Sequence, residues 1–299
     1  LKKDGSVVTW GSDYSGGNST SVASSLTSNV TAVFSTGGAF AALKKDGSVV
    51  TWGRHNSGGN STSVASSLSS NVTIIFSNYN AFAALKKDGS VVTWGDNPTY
   101  YPGTIWGADS SDVVDKLSSG VKEIFANGDH GYGAALAALK EDGSVVTWGQ
   151  EGVGGNSTLV AESLRSNVSA VYSSRTAFAA LKRDGSVVTW GSDYSGGNST
   201  SVASALSSNV IAVHSNSEAF AALKKDGSVV TWGSDYSGGN STSVAGALSA
   251  NVTAIYSTER AFAAVKKDGS VVTWGRPYYG EANGPANIGA GEAPSLPRT

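Results

Sequence analysis

Apolar and polar positions fall into three short runs that recur in the same order along the chain. In one unit they are Asn-Val-Thr-Ala-Val-Phe-Ser (29–35), Ala-Phe-Ala-Ala-Leu-Lys (39–44) and Ser-Val-Val-Thr-Trp-Gly (48–53). Each run is brief, rich in β-branched or aromatic side chains, and bounded by turn formers, which predicts three strands per unit. Lys45-Asp46-Gly47 joins the second to the third with Gly where left-handed backbone is needed, which predicts a tight hairpin. The second run does not alternate: Ala39, Phe40, Ala41, Ala42 and Leu43 put apolar atoms on both faces. Such a strand needs cover on both sides. Beyond each Trp-Gly lies a polar loop, as in 12–20, and then Ser21 to Leu26, where Val22 and Leu26 are spaced for one helical turn over the blade edge.

Leu-Lys-Lys-Asp-Gly-Ser-Val-Val-Thr-Trp-Gly at 1–11 returns, with small changes, from residues 43, 85, 139, 181, 223 and 265. The period is 42 residues, with 12 extra in the third unit. A unit of this size cannot bury its own apolar faces and must stack on its neighbours. A sandwich would leave each strand one wet face and would not require a fixed period. Stacked antiparallel hairpins with small Ala at the contact fit an all-β fold, a β-propeller of about seven blades, over residues 1–275. Residues 276–299 are Gly, Ala and Pro-rich and read as an irregular tail or linker. There are seven third strands but six first strands, because 1–11 lacks its partners. Those partners lie upstream, or the ring closes unconventionally, or the array stays open; seven blades with the first incomplete is the expectation. A chain without Met that begins inside a repeat is expected to be processed or part of something longer.

The pattern of an apolar strand, a second ending in Ala-Leu-Lys, an Asp-Gly turn and Val-Val-Thr-Trp-Gly resembles the regulator-of-chromosome-condensation repeat. The resemblance covers residues 1–275, is nearest to bacterial secreted short-loop members such as a propeller-type β-lactamase inhibitor, and implies a seven-bladed propeller. The family's Gly-Gln-Leu-Gly after the third strand is here Ser15-Gly16-Gly17-Asn18, and its Gly and His before the second strand are here Ala39-Phe40. Nothing matches a nucleotide-exchange site, so that role does not transfer.

The copies agree in the hairpin and differ at two places. One is the link between first and second strands: 36–38, 78–80, 174–176, 216–218 and 258–260; the other follows Trp-Gly. In an up-and-down blade both lie on one edge. Variable loops on a rigid frame form binding surfaces, and equally tolerate drift where nothing binds. Tyr79, Asn80, Arg175, Glu218, Glu259 and Arg260 are the candidate partner-binding residues of the links. The irregular third unit adds Tyr100, Tyr101, Trp106, Asp129, His130 and Tyr132, side chains suited to a protein or a sugar.

Composition narrows the field. The net charge of −2 gives no overall basicity for nucleic acid, and no apolar run approaches a membrane span. The seven hairpin turns hold 13 Lys or Arg against 8 acids, a polarity that fits an anionic surface or a stacked copy, or simply solvated hairpins. The absence of Cys excludes disulfides and thiol chemistry without assigning a compartment. His55, His130 and His214 sit singly in separate units, which argues against a metal site or a catalytic cluster. Asp109, Asp112, Asp115 and Asp129 are the best carboxylate cluster, yet match no EF-hand spacing. No cofactor is expected.

Asn-Ser-Thr occurs at Asn18, Asn60, Asn156, Asn198 and Asn240, and Asn-Val-Thr or Asn-Val-Ser at Asn29, Asn71, Asn167 and Asn251. Used as glycosylation sites they imply an extracellular surface, although duplication reduces nine motifs to two independent observations. The first set, in the polar loop, is the better placed. The leading expectation is a non-enzymatic extracellular structural or adhesive module that binds a protein, a glycan or copies of itself. A soluble inhibitor or regulator docking one globular partner is the second reading, and an enzyme built on the third unit the third.

Overall fold

The computed structural model describes residues 1–95, 106–128 and 133–276. It is an all-β array of six three-stranded antiparallel sheets, the blades of a propeller-type fold. In the first blade, β1 (Val30–Ser35) pairs with β2 (Ala39–Lys44) and β2 with β3 (Val49–Gly53). The same strand order repeats in the blades at 72–95, 121–149, 168–191, 210–233 and 252–275. Residues 1–11 form the Asp-Gly turn but no strand. Six complete blades with one partial unit ahead of them, among the described residues, agree with the expected propeller of about seven blades, the first incomplete.

Alternation along β2 decides how blades meet. Ala39, Ala41 and Leu43 face forward and pack on Leu68, Val72, Ile75, Phe82, Ala84 and Trp94 of the next unit. Phe40 and Ala42 face backward, with Trp52, toward Val7 of the partial unit. The same set recurs between every consecutive pair of blades, so the core is a series of interfaces rather than one central mass. Methyl-sized side chains on the forward face leave room for rings on the backward face, which is how a polyalanine strand comes to be fully buried.

Each interface is also latched by a hydrogen bond. The Trp52 Nε1 donates to the Gly16 carbonyl of the preceding loop at 3.0 Å, and Trp94, Trp148, Trp190, Trp232 and Trp274 repeat the bond to Gly58, Gly107, Gly154, Gly196 and Gly238. The loop must pass very close to do this. A Cβ on Gly196 would stand 2.7 Å from the Phe220 ring, and one on Gly197 would strike the Gly191 carbonyl. Gly-Gly is therefore the loop's steric requirement. It holds Phe220 and Trp232 stacked beneath it at 5.2 Å.

The run from 20 to 26 is a 3-10 helix, tighter than the α-turn its spacing predicts. Its end caps the edge strand of the unit before, where the Val7 amide donates to the Leu26 carbonyl and Val49 to Leu68. Val91, Val187 and Val229 make the same bond to Leu117, Leu206 and Leu248, so in these blades one outer-edge group is satisfied within the chain.

Candidate functional site

The two variable stretches of each unit meet on one edge of the array and are bonded to one another. The first link residue reaches into the loop after its own third strand. Thr36 Oγ1 donates to the Ser57 carbonyl at 2.8 Å, Asn127 Nδ2 to Val153 at 2.6 Å, Ser174 Oγ to Ser195 at 2.8 Å and Asn216 Nδ2 to Ser237 at 2.6 Å. The middle link residue ties blade to blade through its backbone: Gly37 N to Tyr79 O, Gly128 N to Arg175 O, Arg175 N to Ser217 O and Ser217 N to Glu259 O. The third bonds the loop serine, as Thr176 does with Ser195 at 2.7 Å. Where that link position is Gly38, Asn80 of the next blade accepts from Ser57 Oγ instead, at 2.8 Å. Link and loop are thus in direct contact in these units.

This network settles where several expected surface residues lie. Asn80, Trp106 and Glu218, expected on the exposed edge, are buried. Trp106 is only 2% exposed, packed against Ala81, Ala134 and Tyr79, whose ring lies 5.6 Å away. An aromatic in a long insert found a gap in the blade rather than solvent. Glu218 accepts from Ser237 Oγ at 2.8 Å and faces Arg175 of the neighbouring blade at 3.7 Å. These three have no surface to offer a partner. Tyr79 and Arg260 are half-buried, whereas Glu259 is exposed and pairs with Arg260 at 3.4 Å. A shallow depression of about 480 Å³ lies beside Arg175, Asn216, Ser217 and Glu259. Tyr100, Tyr101, Asp129, His130 and Tyr132 fall outside the described residues.

Three exposed aromatics on this edge share one position in the loop after Trp-Gly, where other units carry Asn56 and Gly152. Tyr14, Tyr194 and Tyr236 are 64%, 60% and 71% exposed. Each stands in the three-residue 3-10 helix after Trp-Gly, anchored by the Gly-Gly loop. Arg54 of the adjacent loop lies over the Tyr14 ring at 4.7 Å. The signal available in the sequence was a ring inside Ser-Asp-Tyr-Ser, a polar stretch with no strand or helix period to bury it.

The Asn-x-Thr motifs have a local structural use. Asn18 Oδ1 accepts from the Thr20 amide at 3.0 Å and the Thr20 hydroxyl at 2.6 Å, opening the 3-10 helix. Asn60, Asn156 and Asn240 make both bonds and Asn198 the amide bond. In the third unit Asp109 accepts from the Ser111 amide in the same turn, at 2.9 Å, without an acceptor motif. All five asparagines are exposed. Asn29, Asn71, Asn167 and Asn251 instead hold left-handed backbone at φ of 63 to 67°, as does Asn209, which has Ile211 where the motif needs Ser or Thr. The second set follows backbone need.

Among the described residues no group of His, Asp and Glu is placed to hold a metal ion, and no helix is long and apolar enough to cross a membrane. His214 lies inside a blade interface, its pKa lowered by burial. Tyr172, at the same position one blade earlier, is raised by burial. On the hairpin edge, the aspartates at 4, 46, 88, 142, 184, 226 and 268 are held below the usual carboxylate range, chiefly by the hydroxyl of the serine two residues on.

The repeated blade and its loop-bearing edge define an all-β repeat protein with a candidate binding face. No family model and no curated protein matches the sequence. Among solved structures it is similar to Prp20p from Saccharomyces cerevisiae, studied for its binding to Gsp1p and histones, at 17% identity over 82% of this chain and 71% of that one, with a TM-score of 0.42. It is also similar to yeast RCC1 (Prp20) bound by Kap60, at 18% identity over 81% and 70% with a TM-score of 0.43, and to human WBSCR16, at 19% over 66% and 60% with 0.39. At these values the likeness carries no inference about partner or activity.

Proposed function

We propose that the chain is a non-enzymatic, extracellular or cell-surface module that binds a protein partner through the edge carrying Tyr14, Tyr194 and Tyr236. The observation that carries this reading is the exposure of three tyrosines on short, glycine-clamped helices. A ring fixed in place loses little conformational freedom on contact and brings apolar area with a hydrogen-bonding tip, which is why tyrosine anchors interfaces. Tyr194 and Tyr236 stand on adjacent blades and can engage one partner together. The solvent exposure of Asn18, Asn60, Asn156, Asn198 and Asn240 is compatible with glycans beside that edge. The resemblance to secreted short-loop repeat proteins supports the same setting.

The test is binding of the folded chain to a displayed peptide library and, in parallel, a glycan array. Tyr194→Ser with Tyr236→Ser should weaken selected peptides by at least about tenfold, the effect of losing one hot-spot contact, with an unchanged melting curve. Peptide binding that survives the double change would remove the tyrosines from the site. Selection of sugars in place of peptides would replace the protein partner with a glycan.

A further inference from the structure

The third blade leaves its outer edge open where five other units close theirs. In those units the amide at the start of the third strand donates to the leucine carbonyl of the following helix: Val7 to Leu26, Val49 to Leu68, Val91 to Leu117, Val187 to Leu206 and Val229 to Leu248. Val145, at the same position in the strand Val145–Gly149, makes no such bond to Leu164. The register of this strand fixes which of its groups point outward. It pairs with Ala135–Lys140 from Leu139↔Val145 to Ala135↔Gly149, and bonded pairs close the ladder at both ends, Lys140 N to Ser144 O at 2.9 Å and Gln150 N to Ala134 O at 2.8 Å. Bonded pairs alternate along an antiparallel ladder, so Val145, Thr147 and Gly149 turn N–H and C=O away from the sheet. Gly155 passes against the Gly149 carbonyl, whereas the outward backbone groups of Val145 and Thr147 have no hydrogen-bond partner among the described residues.

These groups form the floor of a groove of about 970 Å³. One wall is the segment 109–116 that precedes the blade. The other is 155–165, which follows it and is tied down by the Thr147 hydroxyl, a donor to the Gly155 carbonyl at 3.0 Å. Val113 and Leu164 bring apolar surface to the two walls. Charge divides along the groove. Trp148 Nε1 donates to the Gly107 carbonyl at one end and Lys140 Nζ to the Lys116 carbonyl at the other, so Asp109 and Asp112 lie toward the Trp-Gly end. The cations of the groove lie toward the hairpin: Lys116, Lys140, and Arg165, which pairs with Glu162 at 2.8 Å. Asp142 beside them is held by Ser144.

We propose that this groove binds an extended peptide segment of a partner protein by strand addition, as a fourth strand of the third blade. A peptide laid antiparallel on Val145–Gly149 supplies the backbone donors and acceptors that Val145 and Thr147 have unused, and its alternate side chains fall on the Val113 wall and the Leu164 wall. About five extended residues, spanning roughly 17 Å, match the strand they meet. The antiparallel direction sets the peptide's N-terminal side beside Asp109 and Asp112 and its C-terminal side beside Lys116 and Lys140. The ligand is therefore a segment with Lys or Arg before an alternating apolar stretch and Asp or Glu after it, since the opposite order brings like charges together. None of the groove's residues belongs to the loops that carry Tyr14, Tyr194 and Tyr236, so this site stands independently of that edge.

The test uses the full chain carrying Tyr194→Ser and Tyr236→Ser, so that the tyrosine edge is not read, and a displayed library of short random peptides. Selected peptides should show the basic, apolar, acidic order, and a synthetic copy of one should slow exchange of the Val145 and Thr147 amides by at least about tenfold. Without peptide, the Val145 amide should exchange faster than that of Val187, which is bonded to Leu206. Val145→Pro removes an outward donor at the first residue of an edge strand, where proline is tolerated, and should weaken the peptide by at least about tenfold. Ala161→Arg, at an exposed position in the wall, obstructs the groove without altering the strand and serves in its place if Val145→Pro melts early. Peptides that bind without protecting Val145 and Thr147, or that both variants leave unaffected, overturn the proposal. So does a library that yields no peptide. A Val145 amide already protected in the free protein overturns it as well, since the edge would then be covered by the chain itself.

Discussion

At the scale of single residues, asparagine and aspartate do most of the backbone work. Asn198 opens a helix by accepting from the Thr200 amide, and Asp109 does the same in the third unit without being a glycan acceptor. Asn198→Asp should therefore leave the melting temperature within about a degree while abolishing any glycan there, read by calorimetry and intact mass; Asn198→Ala should cost about 1 kcal/mol through the lost cap. The turn aspartates make a second, pH-dependent case. Asp184 accepts from the Ser186 hydroxyl at 2.6 Å and its amide at 2.9 Å, which lowers its pKa in the folded state. A lowered folded value means stability that is present above the unfolded pKa of about 4 and lost as pH falls through the folded one. Ser186→Ala should move the Asp184 carboxyl titration upward and the acid-unfolding midpoint to higher pH, measured by NMR and circular dichroism. An unmoved carboxyl titration would show that the hydroxyl does not set it. The turn itself was legible from Asp-Gly. The burial of Glu218 was not, because a carboxylate in a link reads as exposed until Ser237, 19 residues on, is folded against it.

At the scale of the element, the sequence specifies strands through period and turn, and specifies stacking through the unbroken Ala-Phe-Ala-Ala-Leu run. Both faces of that run were expected to be covered, and they are. What could not be read was the division of labour between faces: Ala179 forward at zero exposure, Phe178 backward against Trp190. Ala179→Leu should destabilise by roughly 1 to 3 kcal/mol, since the added carbons have no space at the interface. The same change at Ala263, which is half-buried, should cost less than at Ala179. Chemical denaturation of the two variants makes the comparison, and equal losses would mean that Ala263 is packed as tightly as Ala179. The loops show the converse limit. Gly-Gly announced a turn, but its function as a lid over Phe and Trp needs the next blade in place.

At the scale of the whole molecule, a chain whose contacts run between neighbours has no single core to lose. Among the described residues the fourth blade packs on both of its neighbours and the sixth on the fifth, so local stability should be higher at the fourth. Hydrogen exchange should find the amides of the fourth blade protected longer than those of the sixth, by at least about tenfold; uniform protection would indicate a closed, fully cooperative ring. The sequence revealed the repeat, its period and the edge on which differences gather. It could not reveal that link and loop are hydrogen-bonded to one another, nor that Tyr14, Tyr194 and Tyr236 stand exposed on that edge. The sameness of the interfaces reaches further, into how such a protein can change. If one 42-residue unit is excised, the two faces brought together already fit, and if one is inserted, both new junctions do as well. Near-identical units invite unequal recombination in the gene that encodes them. The interfaces thus allow length to change in whole-blade steps without creating a mismatched junction.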